Sequence, residues 1–124
     1  MKVKGTDEIL GGYNPVGWDK PTNNIYDYKS CNDSFIFSLK NGIIQNSILS
    51  RVKHQKYAIC CNPNDGPNFT GGLMMKSNFN QNTACFSYQS TYEISIRSTS
   101  SYVSCMSYFS IEEYEVFQIH KKAL

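Results

Sequence analysis

Two histidines and five cysteines are the side chains of this 124-residue chain best suited to covalent chemistry. Nucleophilic catalysis needs a base within hydrogen-bond reach of a Ser or Cys, and that base is usually histidine. His54 lies in a polar segment with Arg51, Lys53 and Lys56, and His120 lies in a basic tail, so both are predicted to be solvated. The sequence also lacks a Gly-x-Ser-x-Gly motif. We therefore expect no catalytic residues.

The cysteines are scattered along the chain: Cys31, Cys60, Cys61, Cys85 and Cys105. Their odd number and the lack of a C-x-x-C pair argue against a complete disulfide framework and against a zinc knuckle. Free thiols in a reducing compartment fit this pattern. Cys60 and Cys61 would point to opposite faces of a strand, so at least one of them is expected in the core.

Metal and cofactor sites are not indicated either. The carboxylates cluster only at Glu112, Glu113 and Glu115, and no set of His, Cys and acids has ligand spacing. The glycine-rich segment from Gly66 to Gly72 lacks the Lys-Ser/Thr pair of a phosphate-binding loop and is interpreted as an ordered loop. We expect no metal and no cofactor.

The charge distribution excludes some partners. Twelve basic and ten acidic residues are spread evenly, for a net charge of +2, which does not favour nucleic acid or anionic lipid. No segment is predicted to be a signal peptide or to insert into a membrane. An intracellular, cytoplasmic location is therefore expected, with residues 120–124 as a short basic tail.

The elements that must position these side chains are predicted to be short strands. Apolar and aromatic contents of 40% and 14%, against 18% charged residues, favour one sheet-rich domain. Strands are predicted at residues 9–13, 34–39, 43–52, 57–61, 73–75, 84–88, 92–96 and 114–119. A surface loop is predicted at residues 19–32, a long loop from residue 62, and a polar link at residues 98–107. Many short strands with little helix indicate a sandwich or barrel.

The strand at residues 34–39 has the clearest pattern. Alternation divides it into two faces, one with Phe35, Phe37 and Leu39 and the other with Ser34, Ile36 and Ser38. Asn41-Gly42 follows and suits a tight hairpin turn, so the next strand is expected to return antiparallel.

Two further predictions concern single positions. Gly11 and Gly12 have no side chains, so another backbone or a large ring such as Trp18 could approach closely there. If the last strand buries Phe117 and Ile119, Glu115 lies on the same face and needs a partner such as an arginine, for which Arg51 and Arg97 are available. The alternative is an edge strand with solvated acids.

Several segments in series resemble the central motif of the TLDc domain family. They are residues 8–13 with Trp18, residues 33–39, residues 57–60, residues 66–73, and Phe109 with residues 114–117. The residues that carry the family motif, in structural or binding roles, are Gly11, Gly12, Tyr13, Trp18, Ser34, Phe35, Phe37, Gly66, Pro67, Phe69, Gly71, Gly72 and Glu115.

The chain also departs from the family pattern. Thr70 replaces the glycine expected after Phe69, the Asp before Leu73 is absent, and Phe117 stands where the family often has Trp. Family members usually carry an earlier helix and strands, so residues 1–119 are interpreted as the central and C-terminal part of a TLDc domain. Uncovered sheet edges and apolar faces, which invite pairing with another copy, are then expected.

The resemblance implies a fold and a function. The fold is mainly β, a two-layer antiparallel β-sandwich with little helix. The function is a non-catalytic protein-interaction domain involved in protection against oxidative damage, and the implied protein partner is the vacuolar proton-pumping ATPase, since several members bind it. One alternative is an adaptor domain of a longer BTB- or kinase-containing chain without pump binding. Another is a thiol-based antioxidant enzyme, which would need a lowered cysteine pKa.

Overall fold

The computed structural model describes residues 1–21, 23, 25–40, 47–76, 85–97 and 107–120. The strands in these ranges are β1 Lys2–Val3, β2 Ile9–Tyr13, β3 Asp27–Lys29, β4 Phe35–Leu39, β5 Ile48–Arg51, β6 Ile59–Cys61, β7 Asp65–Asn68, β8 Met74–Lys76, β9 Cys85–Ser87, β10 Ser107–Phe109 and β11 Ile111–Glu113. One short 3-10 helix, Gln55–Tyr57, precedes β6. The mainly β fold is confirmed.

The strands form antiparallel sheets. The five-stranded sheet has the order β11-β1-β2-β4-β5, the four-stranded sheet has the order β10-β9-β8-β7, and β3 pairs with β6. Leu10 and Ile36 of the first sheet share one buried cluster with Met75 and Cys85 of the second and with Ile59 of β6. This is the β-sandwich that the sequence predicted.

The centre of the five-stranded sheet follows the predicted alternation. In the β2–β4–β5 register, Gly12 lies opposite Ile36, and Ile36 lies opposite Ser50. Ile36, Ser38 and Ser50 are fully buried. The face of β4 with the serines is therefore the inner face, and the face with the two phenylalanines points away from the core.

Two predicted loops contain strands. β3 lies within the predicted loop at residues 19–32, because Tyr28 pairs with Cys60 of the buried strand β6. β7 begins at Asp65, where a long loop was predicted, because the turn is short: Asn62 accepts hydrogen bonds from the backbone N–H groups of Asn64 and Asp65, at 3.0 and 3.2 Å. The prediction of a loop was wrong at both places.

The predicted strand at residues 92–96 is also wrong. Tyr92 makes only an isolated bridge with Val52. The backbone of Ile94 bonds to the side chain of Ser50 instead of a strand, donating at 3.0 Å and accepting at 2.7 Å. A side chain thus satisfies the backbone groups that a sheet ladder would have used.

The predicted strand at residues 114–119 is wrong as well. The last strand in the described residues is β11, which pairs with β1 so that Glu113 lies opposite Lys2. Phe117 and Ile119, which the predicted strand would have buried, are 78% and 72% exposed, so the burial that the predicted alternation required is not there. The predicted Asn41-Gly42 turn, Cys105 and the tail from residue 121 lie outside the described residues.

Candidate protein-binding surface

The outward side of the five-stranded sheet is apolar. This surface, the outer face, consists of Ile9, Tyr13, Phe35, Phe37, Leu39 and Leu49. The register places them side by side: Ile9 opposite Leu39, Tyr13 opposite Phe35, and Phe37 opposite Leu49. Because partners in an antiparallel pair share a face, the six side chains form one contiguous patch.

Exposure of the outer face is substantial. Ile9 and Leu49 are 38% and 47% exposed, and the other four side chains are half-buried. The rings of Tyr13 and Phe35 lie 5.4 Å apart between centroids, which orders that end of the patch. Arg51 lies opposite Phe35 and Lys2 lies opposite Ile9, so both ends of the outer face carry a basic residue. Contiguous exposed apolar surface with a polar rim is typical of protein-binding sites.

The glycine pair predicted to allow close approach does so on both sides of β2. A Cβ on Gly11 would collide with the ring of Phe37 on the outer face. A Cβ on Gly12 would lie 2.5 Å from the Phe69 ring on the inner face. The approaching rings are therefore Phe37 and Phe69 rather than Trp18, which packs edge-on against Phe69 at 5.2 Å.

Several of the other motif residues form an aromatic unit that extends from Trp18, which is 37% exposed, into the core. The Trp18 indole donates a hydrogen bond to the backbone oxygen of Asn68 at 3.3 Å. Phe69 also contacts Tyr92, whose hydroxyl bonds to Ser34 at 3.0 Å and donates to Ala58 O at 2.9 Å. These contacts give Trp18, Phe69 and Ser34 packing roles on the described structure.

The segment from Gly66 to Gly72 is ordered, but its first half is strand β7, which contains Gly66 and Pro67. Its second half is a turn in which Thr70 and Gly71 both have positive φ, 46° and 81°. Gly72 lies against Ile36 and Tyr92, where a Cβ would come within 2.8 Å of each. Through Phe69 and Gly72, this segment packs against Gly12 and Ile36 of the five-stranded sheet.

Glu115 does not lie on a buried face. Phe117 and Ile119 are 78% and 72% exposed, and Glu115 is exposed with them. Arg97 instead pairs with Glu8 at 3.3 Å and stacks its guanidinium 4.8 Å from the Phe109 ring. The predicted alternative with solvated acids is nearer to the structure, although the segment is not a strand.

The histidine and cysteine side chains considered for catalysis are not arranged for it in the described structure. His54 and His120 are exposed, as predicted. The four described cysteines are buried and unpaired: Cys31, Cys60, Cys61 and Cys85.

Burial raises the pKa of both Cys60 and Cys85 from 9.0 to about 11. That shift opposes formation of the thiolate that a redox enzyme needs. Among the described residues, no three His, Cys, Asp or Glu side chains come together as metal ligands, and no helix has the length and apolarity that crossing a membrane requires.

A second exposed surface was missed because residues 19–32 were predicted as a loop. Tyr28 packs edge-on between Tyr26 and Tyr57, at 5.7 and 5.2 Å, and all three rings are at least 39% exposed. The signal was the Ile-Tyr-Asp-Tyr-Lys run at residues 25–29, which has strand composition.

The fold and the outer face define a class of protein, an antiparallel β-sandwich that presents an apolar surface. A family model, that of the TLDc domain, matches residues 1–120, and the chain belongs to this family. TLDc domains form a protein-interaction family related to oxidative stress and are generally regarded as non-catalytic. Neither the curated proteins nor the solved structures gave a match to the chain.

Proposed function

We propose that this domain is a cytoplasmic protein-binding module that docks a subunit of the vacuolar proton-pumping ATPase on its outer face and thereby contributes to protection against oxidative damage. Membership of the TLDc family supports the general role. The observation that carries the proposal is the contiguous apolar patch on β2, β4 and β5. The same surface would serve an adaptor domain, so the identity of the partner is what the experiment must decide.

The energetics of the outer face suit docking. Fully burying one Leu, Ile or Phe side chain that was exposed contributes about 1.5–3 kcal/mol. Ile9 and Leu49 are exposed enough to gain from burial, while Phe35 and Phe37 are held by packing and lose little freedom on binding. A few such rigid anchors account for most of the affinity in protein interfaces.

Charge indicates which partner surface fits. Arg51 lies at one end of the outer face, whereas Lys2 at the other end is paired with Glu112 at 3.0 Å. The exposed segment from Arg51 to Lys56 adds further basic residues beside β5. We therefore expect an apolar partner segment with acidic residues at the end that lies beside Arg51, because complementary rim charges speed association and fix orientation.

The test uses purified components. The 124-residue chain is immobilised, and binding of the purified cytoplasmic sector of the pump is measured. We expect binding that Ile9→Lys and Leu49→Lys each weaken about tenfold or more, since each removes an apolar anchor. Ile25→Lys is the matched control, because Ile25 is 60% exposed and lies off the outer face.

The outcomes separate the alternatives. If the wild-type chain does not bind the pump sector, the pump is not its partner, and the adaptor role is the remaining proposal. Binding that Leu49→Lys leaves unchanged while Tyr28→Lys abolishes it would move the site to the exposed tyrosines.

A further inference from the structure

Three exposed tyrosine rings lie together outside the outer face. The ring of Tyr28, in β3, meets those of Tyr26 and Tyr57 edge-on, at centroid distances of 5.7 and 5.2 Å and interplanar angles of 79° and 86°. Tyr26, Tyr28 and Tyr57 are 57%, 39% and 51% exposed, and they are called the tyrosine cluster here. Exposed aromatic rings with a polar tip are enriched at binding surfaces. The proposed function leaves this cluster unused.

The strand pairing arranges the three rings in a row. Tyr26 precedes β3, and Tyr57 precedes β6 by one residue. Because the two strands are antiparallel, with Lys29 opposite Ile59, Tyr26 and Tyr57 lie beyond opposite ends of the pair. Tyr28 stands between them, and β6 is buried along its length. The row therefore rests on an ordered support, so its rings lose little conformational freedom when a ligand binds.

The shape of the row favours a ligand with ring side chains. Neighbouring rings stand nearly perpendicular, so each pair forms a notch between a ring face and a ring edge. Proline-rich segments in the polyproline II conformation dock on aromatic-lined grooves, and they keep that conformation when unbound. One turn of this helix rises about 9 Å. About one turn therefore spans a row whose outer rings lie 5.7 and 5.2 Å from Tyr28.

Hydrogen-bonding groups favour the same ligand over an added strand. Proline offers a carbonyl acceptor but no N–H donor, and tyrosine hydroxyls can donate to such carbonyls. An added strand would instead need backbone groups along β3, which has only three residues. The N–H of Tyr28 donates to Oδ1 of Asp27 at 2.8 Å, so this group is not available to a further strand.

Charge distinguishes the two ends of the row. Lys53 and Lys56 are exposed in the segment that leads to Tyr57. Lys29 is bonded to Asp19 at 2.6 Å and to the carbonyl oxygen of Val16 at 2.9 Å. Beside Tyr26, at the other end, stands the exposed carboxylate of Asp27. The Tyr57 end is thus the basic one, and an acidic group on a ligand fits there.

We propose that the tyrosine cluster binds a proline-rich segment of another protein in the polyproline II conformation, with acidic residues of that segment beside Lys56. The segment lies along the row, its rings enter the notches on either side of Tyr28, and its carbonyl groups accept from the tyrosine hydroxyls. This site is separate from the outer face, so one chain could hold both partners at once.

The first test measures binding of a fluorescent oligoproline peptide with glutamates at one end to the 124-residue chain by fluorescence anisotropy. We expect saturable binding that Tyr26→Ala and Tyr28→Ala each weaken about tenfold or more, as loss of an aromatic anchor does in other interfaces. Tyr26 is 57% exposed and lies outside the strands, so thermal unfolding of Tyr26→Ala should match the wild type. Leu49→Lys is the control on the outer face and should bind the peptide as the wild type does.

The second test examines the charge match. Lys56→Glu should weaken binding of the glutamate-ended peptide about threefold, as expected for one exposed ion pair. The same variant should bind an oligoproline peptide with lysines at its end more tightly than the wild type does. Both differences should shrink at high salt, because salt screens exposed charges.

Four results overturn the proposal. The oligoproline peptide shows no saturable binding. A glycine-serine peptide with the same glutamates binds equally well, so that the polyproline II conformation is not recognised. Tyr26→Ala and Tyr28→Ala both bind as the wild type does, so that the peptide binds elsewhere. Oligothymidine binds more tightly than the peptide, which would assign the rings and lysines to single-stranded nucleic acid.

Discussion

Thr70 is the residue whose replacement should stabilise the domain. Its φ is 46°, in the left-handed region, which a β-branched residue rarely adopts. Its Oγ1 is buried and has no hydrogen-bond partner within the described structure. Thr70 stands where the family pattern has glycine, and the positive φ gives the physical reason for that glycine. We predict that Thr70→Gly raises the free energy of unfolding.

The magnitude follows from four contributions. Left-handed backbone costs a non-glycine residue about 1–2 kcal/mol, and an unsatisfied buried hydroxyl costs about 1–3 kcal/mol. Against these gains, the greater freedom of glycine in the unfolded chain lowers the free energy of unfolding by about 0.4–1 kcal/mol, and removal of the Thr methyl lowers it by about 0.8 kcal/mol. Taking values near the lower end of each range, the net gain is about 1 kcal/mol. In a chain of this length that raises the Tm by about 4 °C.

Thr70→Ala separates the backbone from the hydroxyl. Alanine keeps the strain at positive φ but removes the unsatisfied oxygen, so we expect it to be near neutral and less stable than glycine. Urea unfolding of the three proteins measures the differences. Gly71→Ala is a control that should destabilise the domain. The φ of Gly71 is 81° and a Cβ there would collide with the Tyr88 ring, so we expect the free energy of unfolding to fall by about 2–3 kcal/mol. If Thr70→Gly is less stable than Thr70→Ala, no backbone strain is relieved at this position.

Two further predictions concern the core. Gly12→Ala should lower the free energy of unfolding by about 1–3 kcal/mol, because a Cβ there would lie 2.5 Å from the Phe69 ring. In urea unfolding, the double variant with Phe69→Leu should lose less stability than the sum of the two single variants, whereas additive losses would mean that the two sites do not touch. The free energy of unfolding should fall between pH 9 and pH 11. Burial raises the pKa of Cys60 and Cys85 from 9.0 to about 11, so the contribution of the neutral thiols to stability is complete below pH 9 and is lost as the pH rises through 11. Urea unfolding across that range should show a smaller decline for Cys60→Ala combined with Cys85→Ala; an equal decline would assign the pH dependence to other groups.

The central strands could be predicted because their pattern is local. Alternation located β4, and the apolar run with its glycines located β2 with the bounds that the structure has. The antiparallel return of β5 was also predicted, since its partner is the next strand in the chain. Where neighbours in sequence are neighbours in the sheet, the pattern holds the necessary information.

Errors arose where the partner lies far away in sequence. β3 forms because it meets β6, and residues 92–96 fail to form a strand because Ser50 takes the hydrogen bonds of Ile94. Glu8, not Glu115, meets Arg97, which no spacing in the sequence indicates. Propensity also predicted a strand at residues 114–119, but the last strand in the described residues ends at Glu113, because composition alone does not supply the strand pairing on which a sheet depends.

The orientation of β4 connects the core to the candidate surface. The sandwich interior receives the large rings of Phe69 and Tyr92, and two residues that contact them are small, namely Gly12 of β2 and Ser34, which precedes β4. Strand alternation puts Phe37 on the other side of β4, on the outer face, where Gly11 makes room for its ring. The same alternation thus directs small side chains toward the core and large apolar ones to the outer face.

The residues that stabilise the fold are therefore distinct from those that could bind a partner. Leu49 lies on the outer face and is 47% exposed, whereas its neighbour Ser50 is fully buried. Leu49→Lys should therefore leave the free energy of unfolding within about 0.5 kcal/mol of the wild type, as exposed substitutions usually do. If the outer face serves only to cover the core, the same variant should be silent in every binding assay as well. Loss of binding without loss of stability would mean that the patch functions as a docking surface.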